Sequence, residues 1–281
     1  MNKFLITLFL LISNCQTGEL KVIADLPLTL KEVSGTETTK QSNLIWTLND
    51  GGNKPRLYGL DSKGRIIKAL KINAKNHDWE DLASDKQGNL YIGDFGNNLS
   101  KRKNLTILKI SVDSLSNSKS THIERISFRY SNQEKFPPKK KSLHFDCEAF
   151  FYFNDSLYLF TKSRVKGDFG KTFLYKIPAT KGHHVATLES SFNSCSEVDC
   201  WMTSADISDD GKSVVLLSPK SIWLFTDFKN DDFFNGTITE IPLNYGSQKE
   251  GVCFKDNSIL YVTDEKAHGA GGNLYEFVLN R

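Results

Sequence analysis

Short runs in which apolar and polar residues alternate cover most of the chain, and this period of two is typical of β-strands with one buried face. Clear examples are residues 44–48, 105–112, 156–161 and 221–226. Turn-forming residues separate the runs, for instance the D-S-K-G segment at 61–64. The sequence shows no amphipathic helical stripe. The pattern therefore predicts an all-β protein.

A weak internal repeat organises these strands, and each copy begins with an acidic residue on a short apolar strand. The acidic residues are Glu32, Glu80, Glu148, Asp206 and Glu250. Each interval between them has room for about four strands, and four-stranded sheets arranged around an axis are the blades of a β-propeller. We expect five blades. Six is the alternative, if the long interval after Glu80 contains a degenerate blade.

The two ends of the chain predict how such a ring closes. After Glu250 there is sequence for only three strands, whereas residues 19–25 form a spare strand ahead of the first repeat. Adding that strand to the last blade completes its four strands and removes an exposed sheet edge. The sequence therefore predicts one propeller domain over residues 15–281, closed by its N-terminal strand.

The N-terminus is typical of an export signal, because Lys3 precedes an apolar run at 4–12 that is too short to span a membrane. Residues 12–15, I-S-N-C, resemble the lipobox of bacterial lipoproteins, although Asn14 stands where Gly or Ala is usual. We predict a signal peptide over residues 1–14 and lipidation, including palmitate, of Cys15. This places the protein in the cell envelope of a Gram-negative bacterium, periplasmic or at the outer-membrane surface. The alternative is ordinary signal cleavage with Cys15 incidental.

The remaining cysteines fit an oxidising compartment. Cys195 and Cys200 lie close together in a polar loop, where they can form a disulfide. Cys147 and Cys253 lie in apolar strands and are predicted to be buried free thiols. No pair of cysteines has the spacing of a zinc site.

Charge and motifs exclude several function classes. The 281 residues carry 36 Lys and Arg against 33 Asp and Glu, a formal net charge of +3, which argues against nucleic-acid binding. No apolar run reaches 18 residues, so a lipid anchor is the predicted membrane contact. Motifs of serine hydrolases, zinc proteases and phosphate-binding loops are absent from the sequence. The lysines at 135–141 predict a solvated loop, and we expect a monomer.

In a propeller, innermost strands begin and second strands end at the same face, so residues at these points converge around the channel mouth. Glu80, Glu148 and Glu250 are the candidate metal ligands there, and calcium is the candidate cofactor because it prefers several oxygen ligands. The alternative is that these acids hold turns or are solvated. The further binding candidates are Asn49, Asp50, Asp94, Lys162, Arg164 and Asp206.

Two histidines lie close in sequence to this predicted ring. His77 precedes Glu80, and His144 precedes Glu148. An imidazole beside a carboxylate can act as a general base or a ligand, so His77, Glu80 and Glu148 are the catalytic candidates. A surface histidine in a loop is the alternative for each.

Four short motifs carry a resemblance to known proteins. They are W-T-L-N-D-G at 46–51, D-W-E-D-L-A at 78–83, Y-I-G-D-F-G at 91–96 and K-E-G at 249–251. Together they resemble bacterial secreted propellers of the SdiA-regulated and esterase-like phytase groups, which are commonly described as six-bladed. The resemblance implies a calcium-compatible propeller with a polar pocket on its top face.

Two classes of function follow. The first, which we favour, is a tethered lipoprotein whose acidic pocket binds a small molecule, a glycan or an envelope protein, with calcium as the candidate cofactor. The second is a metal-dependent hydrolase of a small ester, lactone or phosphoester, in which a metal polarises the substrate and a carboxylate or His77 activates water. No sequence motif requires catalysis, and convergence of the carboxylates in a closed pocket is what distinguishes the classes.

Overall fold

The computed structural model describes residues 17–116, 121–267 and 269–280. The predicted signal peptide and Cys15 lie outside the described residues. The first ten strands are β1 (Lys21–Asp25), β2 (Val33–Thr39), β3 (Ser42–Asn49), β4 (Arg56–Leu60), β5 (Ile66–Lys71), β6 (Trp79–Ser84), β7 (Leu90–Asp94), β8 (Leu105–Ile110), β9 (Ile123–Tyr130) and β10 (Asp146–Phe153).

The next ten are β11 (Ser156–Lys162), β12 (Lys171–Pro178), β13 (Gly182–Asn193), β14 (Ser204–Ile207), β15 (Val214–Leu217), β16 (Ser221–Thr226), β17 (Thr237–Pro242), β18 (Lys249–Asp256), β19 (Ile259–Asp264) and β20 (Asn273–Val278). Helical structure in the described residues is limited to a short α-helix, α1 (Val112–Ser116), and 3-10 turns at Leu28–Leu30, Lys140–Ser142, Val198–Cys200 and Phe233–Asn235.

Antiparallel pairing groups consecutive strands into sheets. β2–β5 form one sheet and β14–β17 another, each in chain order. β6–β9 and β10–β13 are ordered in the same way, and a parallel pairing between β9 and β13 joins these two groups into one sheet. The last sheet has the order β1, β20, β19, β18, so the N-terminal strand pairs with the C-terminal strand.

The innermost strands of the five groups are β2, β6, β10, β14 and β18. Contacts link β2 to β6, β6 to β10, β10 to β14, β14 to β18, and β18 back to β2, so these strands surround a central channel. This is the architecture of a β-propeller, and the predictions of an all-β fold and of closure by the N-terminal strand are confirmed. The blade count of five, with six as the alternative, stays a prediction.

Apolar side chains pack between neighbouring sheets. One cluster joins Trp46 and Leu57 of the first group to Trp79 and Ile92 of the second. All four are almost fully buried, and each such side chain stabilises the fold by about 1.5–3 kcal/mol. These layers fix the sheets around the axis and leave the channel itself to polar residues.

Asp81 illustrates the polar channel. Its carboxylate accepts hydrogen bonds from the backbone N–H groups of Leu82, Phe150 and Ala205 and from the hydroxyl of Ser204. It therefore ties three innermost strands together at the axis. We call the end of the channel where the innermost strands begin the upper end, and the opposite end the lower end.

Candidate functional site

The upper end of the channel opens into a cavity of about 620 Å³, here called the upper cavity. Its walls come from the starts of innermost strands, from segments that follow second strands, and from the loop that carries the disulfide. Six carboxyl groups and two cationic groups lie among its lining residues: Asp50, Glu80, Glu148, Asp199, Glu250, Glu265, Lys162 and Arg164. The prevailing charge of the cavity is therefore negative.

Two of these carboxylates, those of Asp50 and Glu80, lie close to a third, that of Asp78, which is not itself a lining residue. Oxygen atoms of Asp50, Asp78 and Glu80 all lie within 4.8 Å of one another. Asp50 directly follows β3, Asp78 directly precedes β6, and Glu80 lies at an irregularity in the pairing of β6 with β7. We call these residues the acidic triad. Such spacing suits a hard cation bound by carboxylate oxygens.

Glu80 is the most constrained member of the acidic triad. The residue is only 7% exposed, and its carboxylate has no hydrogen bond or ion pair with any described residue. Burial, then the charges of Glu148, Asp50 and Asp78, raise its pKa well above the ordinary value. A buried carboxyl group without a partner is costly, and a bound cation would remove that cost.

Two glycines leave room around the acidic triad. A Cβ atom at Gly96 would overlap the carboxylate of Glu80 and approach the Asp78 carboxyl carbon to 2.7 Å. A Cβ atom at Gly51 would overlap an Asp78 carboxylate oxygen and lie 3.1 Å from the Asp78 Cα. Neither glycine has a positive φ angle, so space, not backbone conformation, requires glycine at these positions.

A cationic wall lies beside the acidic triad. Lys162 Nζ is 3.0 Å from Glu148 Oε2, and the Arg164 guanidinium contacts Glu148 at 3.2 Å and Asp146 at 2.6 Å. Burial alone would lower the pKa of Lys162, but the charges of Glu148 and Glu250 raise it above its ordinary value. The wall therefore stays charged at neutral pH.

Trp201 completes this wall. Lys162 Nζ lies 5.0 Å and the Arg164 guanidinium carbon 4.7 Å from the centre of its ring. The indole N–H donates to the Ser163 carbonyl at 2.6 Å, which fixes the orientation of the ring. The adjacent Cys200 is bonded to Cys195, so a disulfide holds this part of the loop. Trp201 is not among the residues predicted from the sequence, although its place beside Cys200 is a usable signal.

Carboxyl groups at the rim of the cavity have raised pKa values. Burial raises the pKa of Asp50 to about 6. The hydrogen bond from the Gly51 N–H opposes this rise, and the charge of Asp78 adds to it. Burial, then the charges of Glu250 and Asp50, raise the pKa of Glu265 to about 8. Both groups therefore change protonation state between weakly acidic and weakly basic pH.

The three predicted metal ligands lie in the upper cavity but have different partners. Glu80 belongs to the acidic triad, whereas Glu148 is paired with Lys162 and Arg164. Glu250 also lines the cavity, where its pKa is raised by burial and lowered by the charge of Lys162. The carboxylates that lie close enough to Glu80 to share a cation with it are those of Asp50 and Asp78, and not those of Glu148 and Glu250.

Asp206 lies at the opposite end of the channel from the place expected. β14 pairs with β15 without a bulge, whereas bulges in β10 and β18 fall at Glu148 and Glu250. Asp206 therefore lies further along the channel, where it accepts a hydrogen bond from the Phe254 N–H at 2.7 Å. Together with Glu37 it lines a lower cavity of about 340 Å³. The prediction that Asp206 lies at the upper end is therefore wrong.

Three other candidates lie near the upper cavity without lining it. His77 is exposed, and its Nδ1 is 2.8 Å from the carboxylate of Asp94. The Asp94 carboxylate also forms an ion pair with Arg102 at 2.8 Å, so both of its oxygens have partners within the protein. Asn49 donates to the Thr29 carbonyl at 2.8 Å. The neighbouring candidate His144 contacts the Ser163 hydroxyl at 3.0 Å.

The thiols Cys147 and Cys253 are buried and free, at the strand positions that the sequence predicted. The part of the chain that the structure describes contains no candidate for a transmembrane helix.

Comparison with known proteins shows the fold alone. No protein-family profile matches the chain, and no curated protein sequence matches it. A search of solved structures finds the PQQ-bound aldose sugar dehydrogenase from Streptomyces coelicolor, with 10% identity and a TM-score of 0.51, covering 92% of this chain and 97% of that chain.

A gluconolactonase from Xanthomonas campestris has 12% identity and a TM-score of 0.47, covering 88% of this chain and 72% of that chain. Virginiamycin B lyase from Staphylococcus aureus has 13% identity and a TM-score of 0.43, with coverages of 91% and 69%. These neighbours are propellers, as this chain is. The resemblance to the SdiA-regulated and esterase-like phytase groups stays a prediction.

Proposed function

We propose that the upper cavity binds a divalent cation at the acidic triad, and that calcium is the preferred ion. The observation that carries this proposal is the buried carboxylate of Glu80, which has no partner among the described residues and lies beside Asp50 and Asp78. Carboxylate oxygens are the ligands that calcium prefers, and it accepts about six to eight of them. Three carboxylates leave positions open for a ligand.

The ligand that fits this cavity is a small polar molecule with oxygen donors. Its oxygens would occupy the open positions on the cation, while Arg164 and Lys162 offer hydrogen-bond donors on the cationic wall. Trp201, on whose ring these two side chains lie, also lines the cavity and supplies apolar surface. A molecule with hydroxyl and carboxylate groups meets all three requirements. Because Glu148 pairs with Lys162 and Arg164 instead of converging on Glu80, we favour a ligand-binding protein, with a small molecule or part of a glycan or envelope protein as the partner.

Hydrolysis of a small ester, lactone or phosphoester is the second candidate, and Glu265 favours it. Its pKa of about 8 allows it to take up or release a proton near neutral pH, as a general acid or base must. A bound cation would polarise the oxygen of such a substrate.

Calorimetric titration with calcium tests the cation site. The parent should bind one ion, Asp78→Asn should bind it at least tenfold more weakly, and Asp206→Asn should match the parent because it changes a buried carboxyl at the lower end. No binding heat in the parent, or equal losses in the two variants, would refute the proposal. Calcium-dependent turnover of lactones or phosphoesters that Glu265→Gln abolishes would establish the hydrolase instead.

We also propose that the protein is a monomer tethered to the cell envelope through lipid on Cys15. The apolar run at 4–12 and the lipobox-like residues 12–15 support the anchor. The disulfide between Cys195 and Cys200 supports an oxidising compartment outside the cytoplasm.

A further inference from the structure

Asn76 is a buried polar residue next to the acidic triad, to which neither the sequence nor the cation site assigns a role. It lies in the loop that joins β5 to β6 and is only 6% exposed. A buried amide is costly unless its donors and its acceptor are hydrogen-bonded. The partners of the Asn76 amide therefore show what this residue holds in place.

Both ends of the Asn76 amide bind backbone atoms beside the acidic triad. Nδ2 donates to the Asp50 carbonyl at 2.9 Å and to the Asn49 carbonyl at 3.2 Å. Oδ1 accepts from the Trp79 N–H at 3.1 Å. Two carbonyl partners and one N–H partner are compatible with only one orientation of the amide, because only its amino end can donate. The amide thus bridges the end of β3 and the start of β6.

Two members of the acidic triad, Asp78 and Glu80, are held within the sheet that begins with β6. The Asp78 N–H donates to the Asp94 carboxylate at 3.2 Å, and the Asp78 carbonyl accepts from the Gly96 N–H at 3.1 Å. Trp79 lies between the two acids in the chain, and its ring is fully buried in the apolar layer between the first two sheets. This side of the triad therefore has its own support.

Asp50, the third member, belongs to the neighbouring sheet. Its N–H donates to the Glu32 carbonyl at 3.0 Å, and its carbonyl accepts from the Asn53 side chain at 3.0 Å. Both partners lie in the loops of the sheet β2–β5. Among the hydrogen bonds of the described residues, those of Asn76 are the ones that join the Asp50 backbone to β6.

We propose that Asn76 is the positioning residue of the acidic triad: its amide holds Asp50 beside Asp78 and Glu80, so that the three carboxylates can share one cation. This inference rests on the cation site proposed above. Like charges at this spacing repel one another, so the support has to come from outside the triad. A neutral amide suits this task, since it donates to two carbonyls without adding charge.

Calcium titration of Asn76→Asp and Asn76→Ala tests this role. Asn76→Asp keeps the shape of the side chain but donates at most one hydrogen bond in either protonation state. Its added charge would by itself attract calcium, so a positioning role and a purely electrostatic role predict changes of opposite sign. Both variants should bind calcium more weakly than the parent, by about tenfold or more.

Gln133→Glu is the matched control. Gln133 is also a buried amide, and its Nε2 donates to the Ser100 carbonyl at 2.7 Å, between two loops that contribute no member of the acidic triad. This variant makes the same change in charge and should bind calcium as the parent does. Melting temperatures are measured on the same samples, because a merely structural role would lower them and leave the calcium affinity of the folded chain unchanged.

Crystal structures of the cation-free variants give a readout that does not need calcium. In Asn76→Asp, or in Asn76→Ala if the former does not fold, Asp50 should move so that the triad oxygens no longer all lie within 4.8 Å of one another. An undisturbed triad, or a folded Asn76→Asp that binds calcium as tightly as the parent, would overturn the proposal. A displaced Asp50 in a protein whose parent binds no calcium would refute the cation site and support the positioning role of Asn76.

Discussion

Replacing Glu80 with glutamine should have opposite effects on stability with and without calcium. Without a cation the parent must bury this carboxyl beside Asp50 and Asp78, and its pKa is raised well above the ordinary value. A carboxyl with a raised folded-state pKa costs stability once pH exceeds its unfolded pKa, because the unfolded state then ionises more easily. With chelator at pH 8, Glu80→Gln should therefore melt at or above the parent's temperature, and the difference should shrink toward pH 4.

Calcium should invert this order. An ion that binds only the folded state stabilises it by about 2.7 kcal/mol at one hundred times its Kd. At about 2–4 °C per kcal/mol for a chain of this size, the parent's melting temperature should rise by about 5–10 °C. Glu80→Gln loses one of the three carboxylates and should show little rise.

Calorimetric melting of both chains in chelator and in excess calcium measures the effect. Asp206→Asn, at the lower end, should keep the parent's calcium shift. A parent whose melting temperature does not change with calcium, or a variant that calcium stabilises as much as the parent, would contradict the proposed cation site.

Three further predictions concern other parts of the molecule. Deleting residues 19–25 removes β1 and leaves β20 as an open edge, so urea denaturation should show a loss of several kcal/mol, and an unchanged midpoint would contradict closure by this strand. Cys15→Ser should move the mature protein from the membrane fraction to the soluble envelope fraction; unchanged fractionation would rule out the anchor. Because the pKa of Asp50 is raised to about 6, calcium affinity should fall as pH drops from 8 to 5, and a constant affinity would exclude this ligand.

The fold could be predicted because strand alternation and turn residues are local signals. The spare strand at 19–25 and the three-stranded last repeat indicated closure, and β1 does pair with β20. Strand direction predicted that acidic residues near the starts of innermost strands lie at one end of the channel. Glu80, Glu148 and Glu250 do lie in one cavity.

The partners within the cavity could not be predicted because they depend on bulges and loop packing. The regular pairing of β14 places Asp206 toward the lower end, whereas bulges keep Glu148 and Glu250 at the upper end. A bulge shifts the side-chain alternation by one residue and leaves no clear mark in a single sequence. The approach of Asp50 to Glu80 likewise depends on two loops from different sheets.

Anomalous diffraction from crystals soaked with Mn²⁺ is the most direct test of the cation site, since this ion also prefers carboxylate ligands. We predict one strong peak bounded by carboxylate oxygens of Asp50, Asp78 and Glu80, and no such peak in crystals of Glu80→Gln. A peak elsewhere in the channel, or an undisturbed acidic triad without a peak, would contradict this prediction.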